Sequence, residues 1–226
     1  MAEAQAAKRR AAPKKAPAKA TTARYNKRLF FGKYSADDIV VSDPSLQAYI
    51  MLKPRPYPNI YGRRKHLAYY KAHVDLVERL INKLMRGGTG KKISGRVIRK
   101  EGSLQGKKLK VVHILEEAFE IIHRQTGKNP IQLLVDAIQN AAPIEDTTRV
   151  RYGGISYNVA VGISSQRRLD VALRNMAVAA LMGAFKNKKR LAETLATEIT
   201  LAANNSPDSY AIKKRIESER IAKRAR

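Results

Sequence analysis

The sequence predicts a mainly α protein: a bundle of about six helices that carries one protruding β-hairpin and follows a disordered basic N-terminal tail. Three observations predict it. Apolar residues recur every three or four positions in separate stretches between residue 74 and the C-terminus. One stretch alone alternates with period two, around a Gly-Gly pair. The segment 1–23 is built from little beyond Ala, Lys, Arg, Pro and Thr, with no large apolar side chain after Met1. The boundaries implied are a Lys/Ala/Pro-rich tail at 1–23 and one domain at 24–226, with a hairpin arm at 146–163.

The tail cannot bury enough surface to offset its ordering entropy, so it is expected to be disordered in isolation. Its acid-poor composition also suits an organellar transit peptide, but Pro13 and Pro17 interrupt the amphipathic helix such peptides form. Ser42-Asp43-Pro44 reads as a helix start, with a capping side chain before a first-turn proline. That helix is short, because Lys53-Pro54-Arg55-Pro56-Tyr57-Pro58 cannot continue it.

Val74, Val77, Leu80, Ile81, Leu84 and Met85 form the stripe of the next helix, while Arg79, Lys83 and Arg86 fall on another face and are expected to contact phosphate. Gly87-Gly88 ends it. A helix over roughly 107–125 follows, burying Val111, Leu115, Phe119 and Ile122 and closing at Gly127, with Glu120 and Arg124 spaced as a surface pair. Asn129-Pro130 opens another, with Ile131, Leu134, Val135 and Ile138 inward. Three more are expected near 165–185, 188–203 and 209–225, and Ala177, Ala179, Ala180 and Ala184 should let helices approach closely.

The exception is the run from Thr147 to Val161. Pairing across Gly153-Gly154 sets Tyr152 opposite Ile155, Val150 opposite Tyr157 and Thr148 opposite Val159 on one face. Arg151 then meets Ser156 and Arg149 meets Asn158 on the other. A lone two-stranded ribbon is marginally stable, so it either folds flat on its own bundle or extends to a partner. A projecting arm is favoured, since the helices can close around one another without it.

Charge narrows the partner. The chain has 226 residues, with 45 Lys and Arg against 19 Asp and Glu, a net +26. Cations are concentrated in segments 1–33, 53–110 and 151–226, whereas 34–52 and 111–150 are mildly acidic. Such an excess repels itself in a compact chain and points to a polyanion. Between residues 53 and 70, Tyr57, Tyr61, Tyr69 and Tyr70 are interleaved with Arg63, Arg64 and Lys65. Guanidinium groups that grip phosphate and rings that stack on unpaired bases suit RNA.

Other chemistries are disfavoured. The absence of Cys excludes disulfides, thiolate nucleophiles and sulfur-ligated zinc. No apolar run has the roughly 20 residues of a membrane span. Gly90-Lys91-Lys92 lacks the glycine five positions earlier, where Met85 stands, and the Ser or Thr of a phosphate-binding ATPase loop, where Lys92 stands. His66, His73, His113 and His123 lack metal-ligand spacing, and Glu116, Glu117 and Glu120 read as the solvated face of a helix. No catalysis and no cofactor are therefore expected.

Asn129-Pro130-Ile131-Gln132, Asp146-Thr147-Thr148-Arg149, Tyr152-Gly153-Gly154-Ile155-Ser156-Tyr157, Gln166-Arg167-Arg168-Leu169 and Ser209-Tyr210-Ala211-Ile212-Lys213-Lys214 together resemble small-subunit ribosomal protein seven in its archaeal and eukaryotic form. The resemblance runs from about residue 34 to the C-terminus and excludes the tail. It implies a constituent of the small ribosomal subunit in the cytoplasm that binds the 3′ major domain of ribosomal RNA and helps nucleate the head. It also implies that the ribbon lies near the exit-site transfer RNA and messenger path, with other small-subunit proteins as neighbours. Carried onto this chain, the ribbon role falls on Arg149, Arg151, Tyr152, Gly153, Gly154 and Tyr157. The ribosomal RNA role falls on Lys27, Arg28, Arg63, Arg64, Lys65, Arg167 and Arg168, with Lys213, Lys214 and Arg215 of the last helix added to them. The rival of another class is a chromatin or nucleoid architectural protein, since a Lys/Ala/Pro tail on a helical body is common to both. A helix-turn-helix regulator fits less well, because the cations are spread over loops, ribbon and terminus.

Overall fold

The structure, a computed structural model, describes residues 29–62, 66, 68, 70–88, 92, 93, 96, 97 and 104–226. The tail at 1–23 and the residues Lys27, Arg28, Arg63, Arg64 and Lys65 lie outside the described residues. Within them the chain forms α1 (Pro44–Gln47), a 3-10 turn (Tyr70–His73), α2 (Leu76–Leu84), the two-residue strands β1 (Lys92–Ile93) and β2 (Arg96–Val97), α3 (Lys108–Thr126) and α4 (Pro130–Ala141). The ribbon β3 (Glu145–Tyr152) and β4 (Ile155–Gly162) follows, then α5 (Ser165–Ala184), α6 (Leu191–Ala203) and α7 (Tyr210–Arg224). Seven helices are thus described, the first only one turn long, and the fold is mainly helical with one hairpin of two eight-residue strands as the sequence predicts, besides the short β1–β2 pair.

Several helix ends are set by local chemistry. The Asp43 carboxylate accepts the Ser45 N–H at 2.9 Å ahead of Pro44, and Asn129 accepts the Ile131 N–H at 3.1 Å ahead of Pro130. Gly127, at φ 66°, turns the chain out of α3 in the left-handed conformation that an L side chain resists. Ser209 caps α7 and its hydroxyl donates to buried Glu198 at 2.7 Å, which also accepts the Ala211 N–H at 3.0 Å, so α6 and α7 share one polar joint.

Helix α6 is central, packed against α3, α4 and α5. Its Ala192, Leu195, Ala196, Ile199 and Ala202 are buried against Leu115, Phe119, Leu134, Ile138 and Leu173. The alanine-rich side of α5 permits a close approach: the Thr194 hydroxyl donates to the Ala180 carbonyl at 3.1 Å. The segment before α1 is tied on by Gln132, which accepts the Val40 N–H at 2.9 Å and donates to the Val40 carbonyl at 3.1 Å. Helix α2 packs along α5, and the two form the walls of a surface groove.

The polar face of α3 departs from its expected role. Lys33 forms ion pairs with Glu116, at 2.9 Å, and with Glu120, and Arg190 with Glu117 at 2.6 Å. Glu120 is therefore held chiefly by Lys33, with Arg124 adding a weaker attraction, because the loop at Phe30–Tyr34 folds over α3 and Phe31 and Tyr34 stack edge-on against Phe119. These carboxylates fasten other segments to the helix instead of facing water alone.

Candidate nucleic-acid interface

The hairpin has the predicted register: Tyr152 pairs with Ile155, Val150 with Tyr157, Thr148 with Val159, Arg151 with Ser156 and Arg149 with Asn158. Gly153 and Gly154, at φ 56° and 81°, make the two-residue turn that needs positive φ at both positions. From Thr148 to Val159 every residue is exposed, and Tyr152 is 82% exposed. Among the described residues only the base is anchored: it packs on α7, where Glu219 accepts the Ile144 N–H at 3.1 Å and Arg226 forms an ion pair with Glu145. The arm thus presents one face of Val150, Tyr152, Ile155, Tyr157 and Val159 and another of Arg149 and Arg151.

The second surface is a groove between α2 and α5. Three adjoining clefts meet at Lys83, the largest about 370 Å³. Their cationic lining is Lys71, Arg79, Lys83 and Arg86 from the α2 side and Arg167 and Arg174 from α5. The one carboxylate among these residues is Asp170, 3.3 Å from Arg79, 3.6 Å from Lys83 and 3.6 Å from Lys71. Burial opposes its ionisation, but Lys83, Arg79 and Lys71 outweigh burial and hold its carboxyl below the usual range. Burial also pushes the Lys83 ammonium down, as do Arg86 and Lys71, against the attraction of Asp170. Cations this crowded favour an additional anion.

The structure separates side chains that the sequence groups together. Arg79 is 5% exposed and turned inward, donating to Asp170 and, at 3.4 Å, to the Tyr49 carbonyl. Its expected place on the outer face is corrected, because α5 packs over that stripe and brings Asp170 to it. Arg168 is likewise buried: it donates to the Pro143 carbonyl at 3.1 Å and to Asp43 at 2.9 Å, and bonds the Ser45 hydroxyl. It joins α5 to the start of α1 and to the chain entering the ribbon, so it is a structural clamp rather than a free cation. Lys83 and Arg86 remain on the groove, and Arg167 is 67% exposed and 3.7 Å from Asp146 at the ribbon base. Lys213 is exposed on α7, Lys214 is paired with Glu217, and Arg215 reaches Asn205 at 3.4 Å. Sequence reading missed Lys71 and Arg174. Arg174 stands seven residues after Arg167, two turns along the same helix face, a spacing that could have revealed it.

Among the described residues no group of His, Asp and Glu is placed to hold a metal ion, and no helix is long and apolar enough to cross a membrane. A helical frame with a cationic groove and an exposed two-faced arm has the features of a nucleic-acid-binding protein. Comparison with known proteins narrows the class. The model of the family described as ribosomal protein S7p/S5e matches residues 52–226. A protein of Archaeoglobus fulgidus named small ribosomal subunit protein uS7 is 48% identical over 198 residues, spanning 88% of this chain and 95% of that relative. The chain belongs to the ribosomal protein S7p/S5e family.

Proposed function

We propose that this ribosomal protein is a structural constituent of the small subunit in the cytoplasm, binding the 3′ major domain of its RNA and helping to nucleate the head. The ribbon, through Arg149, Arg151, Tyr152, Gly153, Gly154 and Tyr157, approaches the exit-site transfer RNA and the messenger path. The groove cations Lys83, Arg86 and Arg167 contact ribosomal RNA, and Lys27, Arg28, Arg63, Arg64, Lys65, Lys213, Lys214 and Arg215 extend that contact. Neighbouring small-subunit proteins complete its surroundings. Arg79 and Arg168 act in this reading as supports, not contacts.

One observation carries the reading: two separate exposed surfaces, a cationic groove on the bundle and an arm anchored only at its base. Cations fixed by a rigid frame neutralise phosphates that would repel one another as RNA helices pack, so the protein acts by bridging. Each neutralised phosphate releases counterions, and affinity falls with salt by a logarithmic slope of about 0.7–0.9 per contact.

The test is a gel-shift titration of the full chain against a transcript of the 3′ major domain of Archaeoglobus fulgidus small-subunit RNA. Affinity should fall steeply between low and moderate salt, and duplex DNA should compete poorly. Replacing residues 149–158 by a two-glycine turn should spare this affinity while disturbing exit-site function in reconstituted subunits. Affinity indifferent to salt, or preference for duplex DNA, would defeat the reading. Loss of RNA binding in a folded arm deletion would place the RNA surface on the ribbon instead.

A further inference from the structure

The proposed RNA contact leaves Asp170 unexplained, a carboxylate on the floor of a groove meant for a polyanion. It lies one turn from Arg167 and one from Arg174 on α5, while Lys71, Arg79 and Lys83 converge on it from the other wall. Without it, three cations would face one another across a partly buried cleft and move apart. With it, Lys71 and Lys83 are held pointing into the groove before any ligand arrives, and the exposed Arg86 and Arg174 flank them on the rim. The same negative charge repels a phosphate from the floor. A strand is thereby kept at the level of Lys83, Arg86 and Arg174.

Resting on the reading of this protein as an RNA binder, we propose that Asp170 is the positioning residue of the groove. It stands in for a phosphate in the free protein, orients Lys71 and Lys83, and restricts RNA backbone to a seat formed by Lys83, Arg86 and Arg174. The seat begins at the ribbon base, since Ser164, Gln166 and Arg167 line its first cleft, and runs along α5 past Arg174, about 10 Å further on, enough for two or three successive phosphates. Its consequence is discrimination. A freed Lys71 and Lys83 would take phosphate in many geometries, whereas a held pair takes it in few.

The experiment compares wild type, Asp170→Asn, Asp170→Glu and Arg174→Gln in the full chain. Each is titrated over a salt series against the 3′ major domain transcript and against an unrelated RNA duplex, with circular dichroism and melting as folding controls. Asp170→Asn keeps a hydrogen-bond acceptor for Arg79 but removes the charge. It should steepen the salt slope for the unrelated duplex by about 0.7–0.9, as one more cation meets phosphate, and tighten that binding several-fold. The preference for the transcript should fall accordingly, and Asp170→Glu should restore it. Arg174→Gln, an exposed change that leaves the fold intact, should flatten the transcript slope by about 0.7–0.9. Wild type that binds the transcript while a folded Asp170→Asn keeps the same slope and preference, or while Arg174→Gln keeps the same slope, overturns the positioning role alone. Should Asp170→Asn fail to fold, Arg174→Gln and Asp170→Glu decide. Wild type that ignores the transcript overturns the functional reading beneath it.

Discussion

Arg167 and Arg168 are neighbours in sequence and opposites in structure, which makes their comparison the sharpest test of how the fold uses its charge. Alanine at 168 removes three side-chain hydrogen bonds, to the Pro143 carbonyl at 3.1 Å, to Asp43 at 2.9 Å and to Ser45, and leaves the Asp43 carboxylate without its cation. Hydrogen bonds to charged groups contribute about 1.5–3 kcal/mol each, and breaking a fully buried ion pair costs about 3–5 kcal/mol. Asp43 is 25% exposed, so water recovers part of this, and a loss of about 2–3 kcal/mol is expected. At about 2–4 °C per kcal/mol for a chain of this size, the melting midpoint should fall by roughly 5–10 °C. Arg167→Ala removes an exposed side chain 3.7 Å from Asp146 and should shift the midpoint by no more than about 1–2 °C. RNA binding should invert the order: Arg167→Ala flattens the salt slope by about 0.7–0.9, and Arg168→Ala leaves it unchanged under conditions where the variant is folded. Thermal melts followed by circular dichroism and gel-shift salt series measure both. An Arg168→Ala protein that melts with wild type and loses salt slope would show that the buried guanidinium is a phosphate contact after all.

Two further outcomes follow from local geometry. Burial pushes the Asp75 carboxyl up to about 7, against the N–H groups of Lys53 and Glu78 that favour its ionised form. A folded-state value above the unfolded one means that its contribution is fully present below about pH 4 and is lost as pH rises to about 7, by at most about 4 kcal/mol. Urea midpoints between pH 4.5 and 7.5 should therefore drop more in wild type than in Asp75→Asn, which no longer titrates. The offset between the curves is not diagnostic, because Asn gives up one of two acceptors, but parallel curves would refute the assignment. At the arm tip, Gly153→Val imposes a β-branched residue at φ 56°, costing about 1–2 kcal/mol locally. Because the tip is exposed and, among the described residues, contacts only its own ribbon, amide exchange should quicken between Thr148 and Val159 while the global midpoint stays within about 1 °C, and a drop of several degrees would mean that the arm is packed on the bundle.

How far the fold is legible in the sequence depends on the range of the interaction that decides each feature. The hairpin register follows from Gly153-Gly154, because only a two-residue turn with both φ positive joins these strands, and pairing then propagates outward. Asp43-Pro44, Asn129-Pro130 and Gly127 bound their helices through contacts within a few residues, and such signals can be read directly. The roles of Arg79 and Arg168 cannot. Periodicity places Arg79, Lys83 and Arg86 on one stripe, but their fates are decided by Asp170, 91 residues beyond Arg79, once α5 packs there. Likewise Asp43 lies 125 residues before Arg168. Glu120 has Arg124 at helical spacing, yet its nearest cation is Lys33, because the loop packed on Phe119 brings an ammonium to it.

These corrections share one cause, the scarcity of acids in a chain of net charge +26. Where carboxylates are few, several of them join distant segments by meeting a cation: Asp43 with Arg168, Asp170 with Arg79, Glu78 with Lys108 at 2.7 Å, Glu116 with Lys33 and Glu117 with Arg190. Glu78 also accepts the Ile60 N–H at 3.1 Å, so one carboxylate ties the proline-punctuated segment to α2 and α3. Removing one of these acids should therefore cost more stability than removing an exposed groove cation such as Arg86 or Arg174. A charge-neutralising scan would show it directly, with melting midpoints falling for Asp43, Glu78 and Asp170 and staying level for the exposed Arg86 and Arg174. Equal losses in the two sets would mean that the cations, too, are structural, and that the excess charge is not held in reserve for RNA.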